Sequence, residues 1–230
     1  MNFDELYKNG FTIIKNALKH PEHYLEALKK DSRCHSKAMW TIRRKCRPIF
    51  EKLWNTKDLV CSFDGNSLGA GECIPWHVDQ NQNHEKGLIC VQGILALSHS
   101  NVTRFLSGSQ KYWHSLSHRC TDNLANTWES YLIEETDPIF KKGLDIIKPQ
   151  LEPGDMLLFD SRIVHSVESY TDRAVCYISM VPRNKIKTTI QRKRKKAYMD
   201  GWSTTHWCET VILREQDGPK KYKWDGNKLV

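Results

Sequence analysis

A chain of 230 residues, 39% hydrophobic and 27% charged, has enough material for one domain with a real core and lies outside the range of disorder. Its net charge of +8 leaves anionic partners open, while no apolar run approaches the roughly 18 residues that span a bilayer. The first 30 residues interleave Asp4, Glu5, Lys8 and Lys15 with apolar positions, so no secretory signal is expected and the chain reads as intracellular, in the cytoplasm.

In chain order, Gly10 to Ile14 reads as a short strand. Asn16–Lys30 then carries Leu18, Tyr24, Leu25 and Leu28 at helical spacings. Ser36 is a candidate cap for a second helix through about Trp54, although Pro48 argues against one unbroken helix. After residue 57 the texture changes to short β-rich runs: Leu59–Phe63, Leu88–Leu97, Val102–Leu106, Met156–Phe159, Ile163–Val167 and Ala174–Val181. Asp64-Gly65-Asn66, Glu152-Pro153-Gly154-Asp155 and Tyr170-Thr171-Asp172 supply turns.

Many short strands with few helices between them predict a mainly β fold, a barrel or jelly roll with N-terminal helices on one side. The expected organisation is a single domain, with helical support over about 1–57 and a β core over about 58–183. An insertion at 111–149 interrupts the core, and a basic extension occupies 184–230. The insertion is rich in aromatics and histidine (Trp113, His114, His118, Trp128, Tyr131), as expected of a lid or substrate-binding segment.

The eight cysteines include no C-x-x-C and are widely scattered, which points to free thiols rather than a zinc site or disulfide framework. From Arg183 to Lys196 there are eight Lys or Arg and no acid. That run suits nucleic acid or another anionic partner, or is simply a solvated helix face.

The chemistry starts at Ile74-Pro75-Trp76-His77-Val78-Asp79-Gln80. On an extended segment His77 and Asp79 project to one face, where a histidine and a carboxylate can take adjacent positions on an octahedral metal. His165 would complete a two-His, one-carboxylate facial triad with three open positions, as non-haem iron(II) oxygenases require. Each residue alone is weak evidence, since a chain with ten histidines produces such a pair by chance.

Arg173, eight residues after His165, opens the strand Ala174–Val181. A buried guanidinium needs an anion. A 2-oxoglutarate carboxylate would serve through a bidentate bond, and so would an internal carboxylate such as Asp155, Asp160 or Asp172. If strand alternation holds, Gln92 and Ser166 face the site and bond 2-oxoglutarate or a metal-bound water, or else satisfy backbone groups. Arg104 suits an acidic substrate group or a surface ion pair. Trp202, His206 and Trp207 either close over the site or pack outside the barrel, packing being favoured.

Several ordered blocks carry a family resemblance between about Trp76 and Arg183. They are Pro75–Gln80, Val91–Ser98, Asn101–Lys111, Glu152–Phe159 with Val164-His165, and Arg173-Ala174-Val175. The chain resembles the phytanoyl-CoA dioxygenase family of 2-oxoglutarate oxygenases. Two departures stand out: Asn101-Val102 replace paired glycines, and the following turn lacks its Pro and His.

The resemblance implies a double-stranded β-helix and His77, Asp79 and His165 as Fe(2+) ligands. It also implies Arg173 as the 2-oxoglutarate anchor and O2 as cosubstrate. The implied reaction is hydroxylation of a small molecule or protein side chain, with 2-oxoglutarate converted to succinate and CO2. Asp79 stands where halogenating relatives carry a small residue, which favours hydroxylation.

Two alternatives carry their own expectations. An oxygenase acting on nucleic acid would stack bases on Tyr112 or Trp113 and hold phosphates through Arg192–Lys196. A non-catalytic cupin-type barrel would bind metal without turnover.

Overall fold

The computed structural model describes residues 2–80, 87–119 and 130–216; Cys120, Trp128 and the side chain of His118 lie outside them. The N-terminal third holds α1 (Asp4–Asn9), β1 (Phe11–Ile14), α2 (Pro21–Lys30) and α3 (Lys37–Trp54). Then come β2 (Leu59–Cys61), β3 (Asn66–Leu68), β4 (Ile74–Val78), β5 (Val91–Ala96) and β6 (Thr103–Leu106). Next are α4 (Trp113–Arg119), β7 (Tyr131–Leu132), β8 (Ile146–Ile147), β9 (Met156–Asp160), β10 (His165–Val167) and β11 (Ala174–Pro182). The C-terminal part contributes α5 (Thr188–Asp200), β12 (Trp202–Thr204) and β13 (Leu213–Gln216).

The strands form two antiparallel sheets. The larger runs β1-β9-β5-β11-β2, with β3 also paired to β11, and the smaller runs β7-β4-β10-β6-β8. Side-chain alternation gives each sheet two buried faces. Leu95, Met156, Leu158, Cys176, Ile178 and Met180 turn outward from the larger sheet into a cluster with Met39, Trp40, Ile42 and Phe50 of α3. Ile94, Ala96, Leu157, Phe159 and Val175 turn inward and meet Phe105 of β6. Each fully buried side chain of this kind contributes roughly 1.5–3 kcal/mol of transfer free energy. This is the double-stranded β-helix, mainly β with flanking helices.

Several local expectations are revised. The first predicted helix starts at Pro21, not Asn16, because residues 16–18 are fastened to the 152–155 turn. The Asn16 amide donates to Asp155 Oδ1 at 3.1 Å and the Leu18 amide to the Gly154 carbonyl at 3.0 Å. The second helix is unbroken through Pro48. Pro48 lies on its exposed side, where water can take the carbonyl that loses its donor. Ser36 caps this helix, its Oγ accepting from the Met39 amide at 3.3 Å.

The 111–149 stretch is partly built into the barrel, since β7 and β8 form the two edges of the smaller sheet. Trp113 is buried against Trp76 and Val164 in the outer cluster of that sheet, so its ring has no free face for a base. Within the basic run, Arg194 is a core residue: its guanidinium donates to the Cys208 and Cys61 carbonyls. The seven described cysteines are free thiols. No helix among the described residues is long and apolar enough to cross a membrane.

Candidate metal centre

β4 and β10 are neighbours in the smaller sheet, with His77 and His165 directly opposite each other and their rings 4.1 Å apart. Trp76 and Val78 point to the outer cluster, so the period of two turns His77 and Asp79 to the interior. His165 lies inside against Phe105 and Phe159, at ring distances of 5.9 and 5.1 Å. One carboxylate joins the two rings: His77 Nε2 is 3.6 Å from Asp79 Oδ1, and His165 Nε2 is 3.5 Å from Asp79 Oδ2. All three residues are buried, and their ligand atoms lie within 4.8 Å of one another.

The hydrogen bonds fix which ring nitrogens face inward. His77 Nδ1 bonds the Pro75 carbonyl at 2.8 Å and His165 Nδ1 the Ile163 carbonyl at 3.0 Å. A carbonyl only accepts, so each Nδ1 carries the proton and each Nε2 presents a lone pair to the same point. Burial, then the neighbouring His77, lowers the His165 pKa to about 4, which keeps that ring neutral. Burial alone would raise the Asp79 pKa, but His165, His206, His77 and a bond from Gln92 outweigh it and hold the carboxyl low. Two imidazoles and one carboxylate are the donor set that suits a divalent first-row metal with open positions.

Gln92 lies where alternation placed it, donating Nε2 to Asp79 Oδ2 at 2.5 Å. Ser166 does not. As His165's immediate neighbour it points to the opposite face, where its Oγ accepts from Arg104 Nε at 3.0 Å. Arg104 covers the Trp76 ring at 4.9 Å and pairs with Glu168 at 3.7 Å, on the outer side of the sheet. Gln80 fastens the chain just past Asp79, its side chain held by Ser161 Oγ at 2.8 Å and the Gly87 carbonyl at 2.9 Å.

Arg173 heads the inward row of β11, two residues before Val175, and is 2% exposed. Its guanidinium lies over Tyr170 at 5.2 Å, yet Nε and Nη2 have no hydrogen-bond partner. The internal carboxylates that might have paired with it are engaged or exposed. Asp155 binds Lys15 at 2.7 Å, Asp160 binds Arg162 at 2.6 Å, and Asp172 faces solvent. A buried guanidinium with two adjacent uncommitted donors fits a carboxylate.

For the segment holding Trp202, His206 and Trp207 the sequence left open closure over the site or packing outside the barrel, with packing favoured. Trp207 is wholly buried, as packing predicts, and the His206 ring lies against it at 4.4 Å. His206 lines a cavity of about 740 Å³ and is near enough for its charge to act on Asp79 and His77. A histidine between tryptophans carries no spacing signal that would have shown this.

No protein-family model matches the sequence. Ava biosynthesis cluster protein O of Aspergillus versicolor is 29% identical over 205 residues, which cover 77% of this chain and 66% of that protein. The chain thus spans just under two thirds of its relative's length. Among solved structures, the epimerase SnoN with Fe3+, α-ketoglutarate and nogalamycin RO superposes with a TM-score of 0.58 at 14% identity, covering 77% of this chain and 81% of SnoN. HygX from Streptomyces hygroscopicus with nickel and 2-oxoglutarate gives 0.54 at 15%, covering 80% and 87%. EctD from S. alaskensis with 2-oxoglutarate and 5-hydroxyectoine gives 0.55 at 13%, covering 78% and 74%. These likenesses establish that the chain shares the fold of SnoN, HygX and EctD.

Proposed function

We propose that this protein is an Fe(II)- and 2-oxoglutarate-dependent dioxygenase that hydroxylates a C–H bond of a small molecule or protein side chain. The observation that carries the reading is a pairing inside one barrel: a buried His77–Asp79–His165 cluster with both Nε2 atoms turned inward, and a buried Arg173 without an anion. Relatives of the same fold hold iron and 2-oxoglutarate. The ordered blocks of the phytanoyl-CoA dioxygenase type support the finer family reading, and the altered 101–110 segment bears on substrate rather than on metal.

Iron bound at the triad would supply dioxygen activation, driven by conversion of 2-oxoglutarate to succinate and CO2. The chain's own residues set the conditions. His77 and His165 are oriented because backbone carbonyls hold their Nδ1 protons, and burial keeps His165 neutral. Asp79 stays ionised, and Gln92 fixes its outer oxygen. Arg173 would bind the distal carboxylate, and Phe105 and Phe159 keep the interior beside His165 dry.

The test is anaerobic titration with Fe(II) and 2-oxoglutarate, followed by the visible charge-transfer band of the chelate. Its appearance in the wild type and loss in Asp79→Ala supports the assignment. Folded, metal-bound protein without the band would point to the non-catalytic barrel. Because SnoN is an epimerase, incorporation of an 18O atom from O2 into product is the readout that separates hydroxylation from epimerisation.

A further inference from the structure

We infer that Thr205 and His206 form the substrate-recognition wall of the metal centre, and that the wall reads a compact polar molecule by hydrogen bonding rather than an acyl chain. The inference rests on the metal-centre reading above and adds the substrate class to it.

The hairpin β12–β13 and the loops at residues 32–34 and 64–66 enclose the cavity, in which Leu213 is the one large apolar side chain. Most polar groups of the hairpin are already committed. Ser203 Oγ donates to the Glu215 carbonyl at 3.0 Å and accepts from the Glu215 amide at 2.8 Å. Thr204 Oγ1 accepts from the Phe63 amide at 3.0 Å and donates to the Thr205 carbonyl at 3.0 Å. The next two residues break this pattern. Thr205, 5% exposed, has a buried Oγ1 with no partner, and His206 has a buried Nε2 with none.

Consecutive orphaned polar atoms in the wall of a cavity are what a ligand's hydrogen bonds would satisfy. The position is fixed relative to the metal. Cys90 Sγ donates to the His206 carbonyl at 3.9 Å, and two residues further on Gln92 holds Asp79. Asp64, which also lines the cavity, is within electrostatic reach of Asp79 as well. An alkyl chain seated there would leave Oγ1 and Nε2 unpaired. A hydroxyl or amide would pair with both, and a site built that way rejects analogues that lack the group.

The test is saturation-transfer NMR on protein carrying Zn(II), as a redox-inert stand-in, and 2-oxoglutarate. One probe set is polyols and amino-acid amides; the other is fatty acids and alkylbenzenes of matched size. The polar set is expected to bind, to weaken about tenfold in Thr205→Val and in His206→Leu, and to recover in His206→Gln. Polar probes that fail to bind, bind the variants unchanged, or are outcompeted by the alkyl set would overturn the inference. The Fe(II)/2-oxoglutarate band of the wild type is recorded in parallel. If it is absent while probe binding still depends on Thr205 and His206, the metal reading fails and the wall stands.

Discussion

The triad end and the arginine end of the barrel interior are finished to different degrees. Around His77, Asp79 and His165 the outer polar atoms are committed: both Nδ1 atoms to backbone carbonyls, and Asp79 Oδ2 to Gln92. At Arg173, and again at Thr205 and His206, polar atoms are buried with no partner. Groups that must be set in advance are locked by the chain itself. In the proposed function the groups left unsatisfied here are those that would meet a ligand, at a cost in ligand-free stability that the ligand would remove.

The largest effect expected from breaking this contrast is at the locked end. Asp79→Ala removes the carboxylate between the two imidazoles, so the chelate band should vanish and turnover should fall below detection. Circular dichroism should remain that of the folded protein. A band that persisted would mean the metal, if any, binds elsewhere.

Arg173→Met is the sharper experiment because its two readouts move in opposite directions. The 2-oxoglutarate requirement should rise about 100-fold, the scale of losing two charge-assisted hydrogen bonds. The ligand-free protein should at the same time become more stable, by roughly 1–3 kcal/mol in urea unfolding, because a buried unpaired charge is gone. Destabilisation instead would show that the guanidinium has an internal partner and is structural.

How much of this was legible in the sequence follows from the range of the interactions involved. The H-x-D pair works through strand alternation, a rule of adjacent residues, so its inward face could be read directly. The distal histidine and arginine needed the ordered blocks around them, because nothing local ties residue 165 to residue 77. Ser166 was misplaced by ignoring the same alternation: a residue next to an inward His165 must face outward. Residues 16–20 look helical by spacing, but a long-range attachment to Asp155 overrides that preference. For His206 the sequence left closure and packing both open, because the choice depends on where a distant hairpin docks, which periodicity cannot report.

Gln92→Leu should produce an intermediate effect. The amide holds Asp79 Oδ2, so its loss acts on the metal through that carboxylate. Loss of such an outer partner lowers metal affinity about 10- to 100-fold. Competition with a chelator would measure it, and unchanged affinity would show that Asp79 is positioned by its backbone alone.

Ser166→Ala should have the smallest effect at the site, and it tests the face assignment most directly. Its hydroxyl accepts from Arg104 on the outer side of the sheet, where Arg104 also covers Trp76 and pairs with Glu168. Removing it leaves Arg104 with those other contacts, so stability should drop by about 1 kcal/mol in urea unfolding. The 2-oxoglutarate requirement should stay within about twofold of wild type, since no ligand in the barrel interior reaches that face. A tenfold rise with little loss of stability would place Ser166 inside after all and would undo the alternation on which His165 itself was assigned.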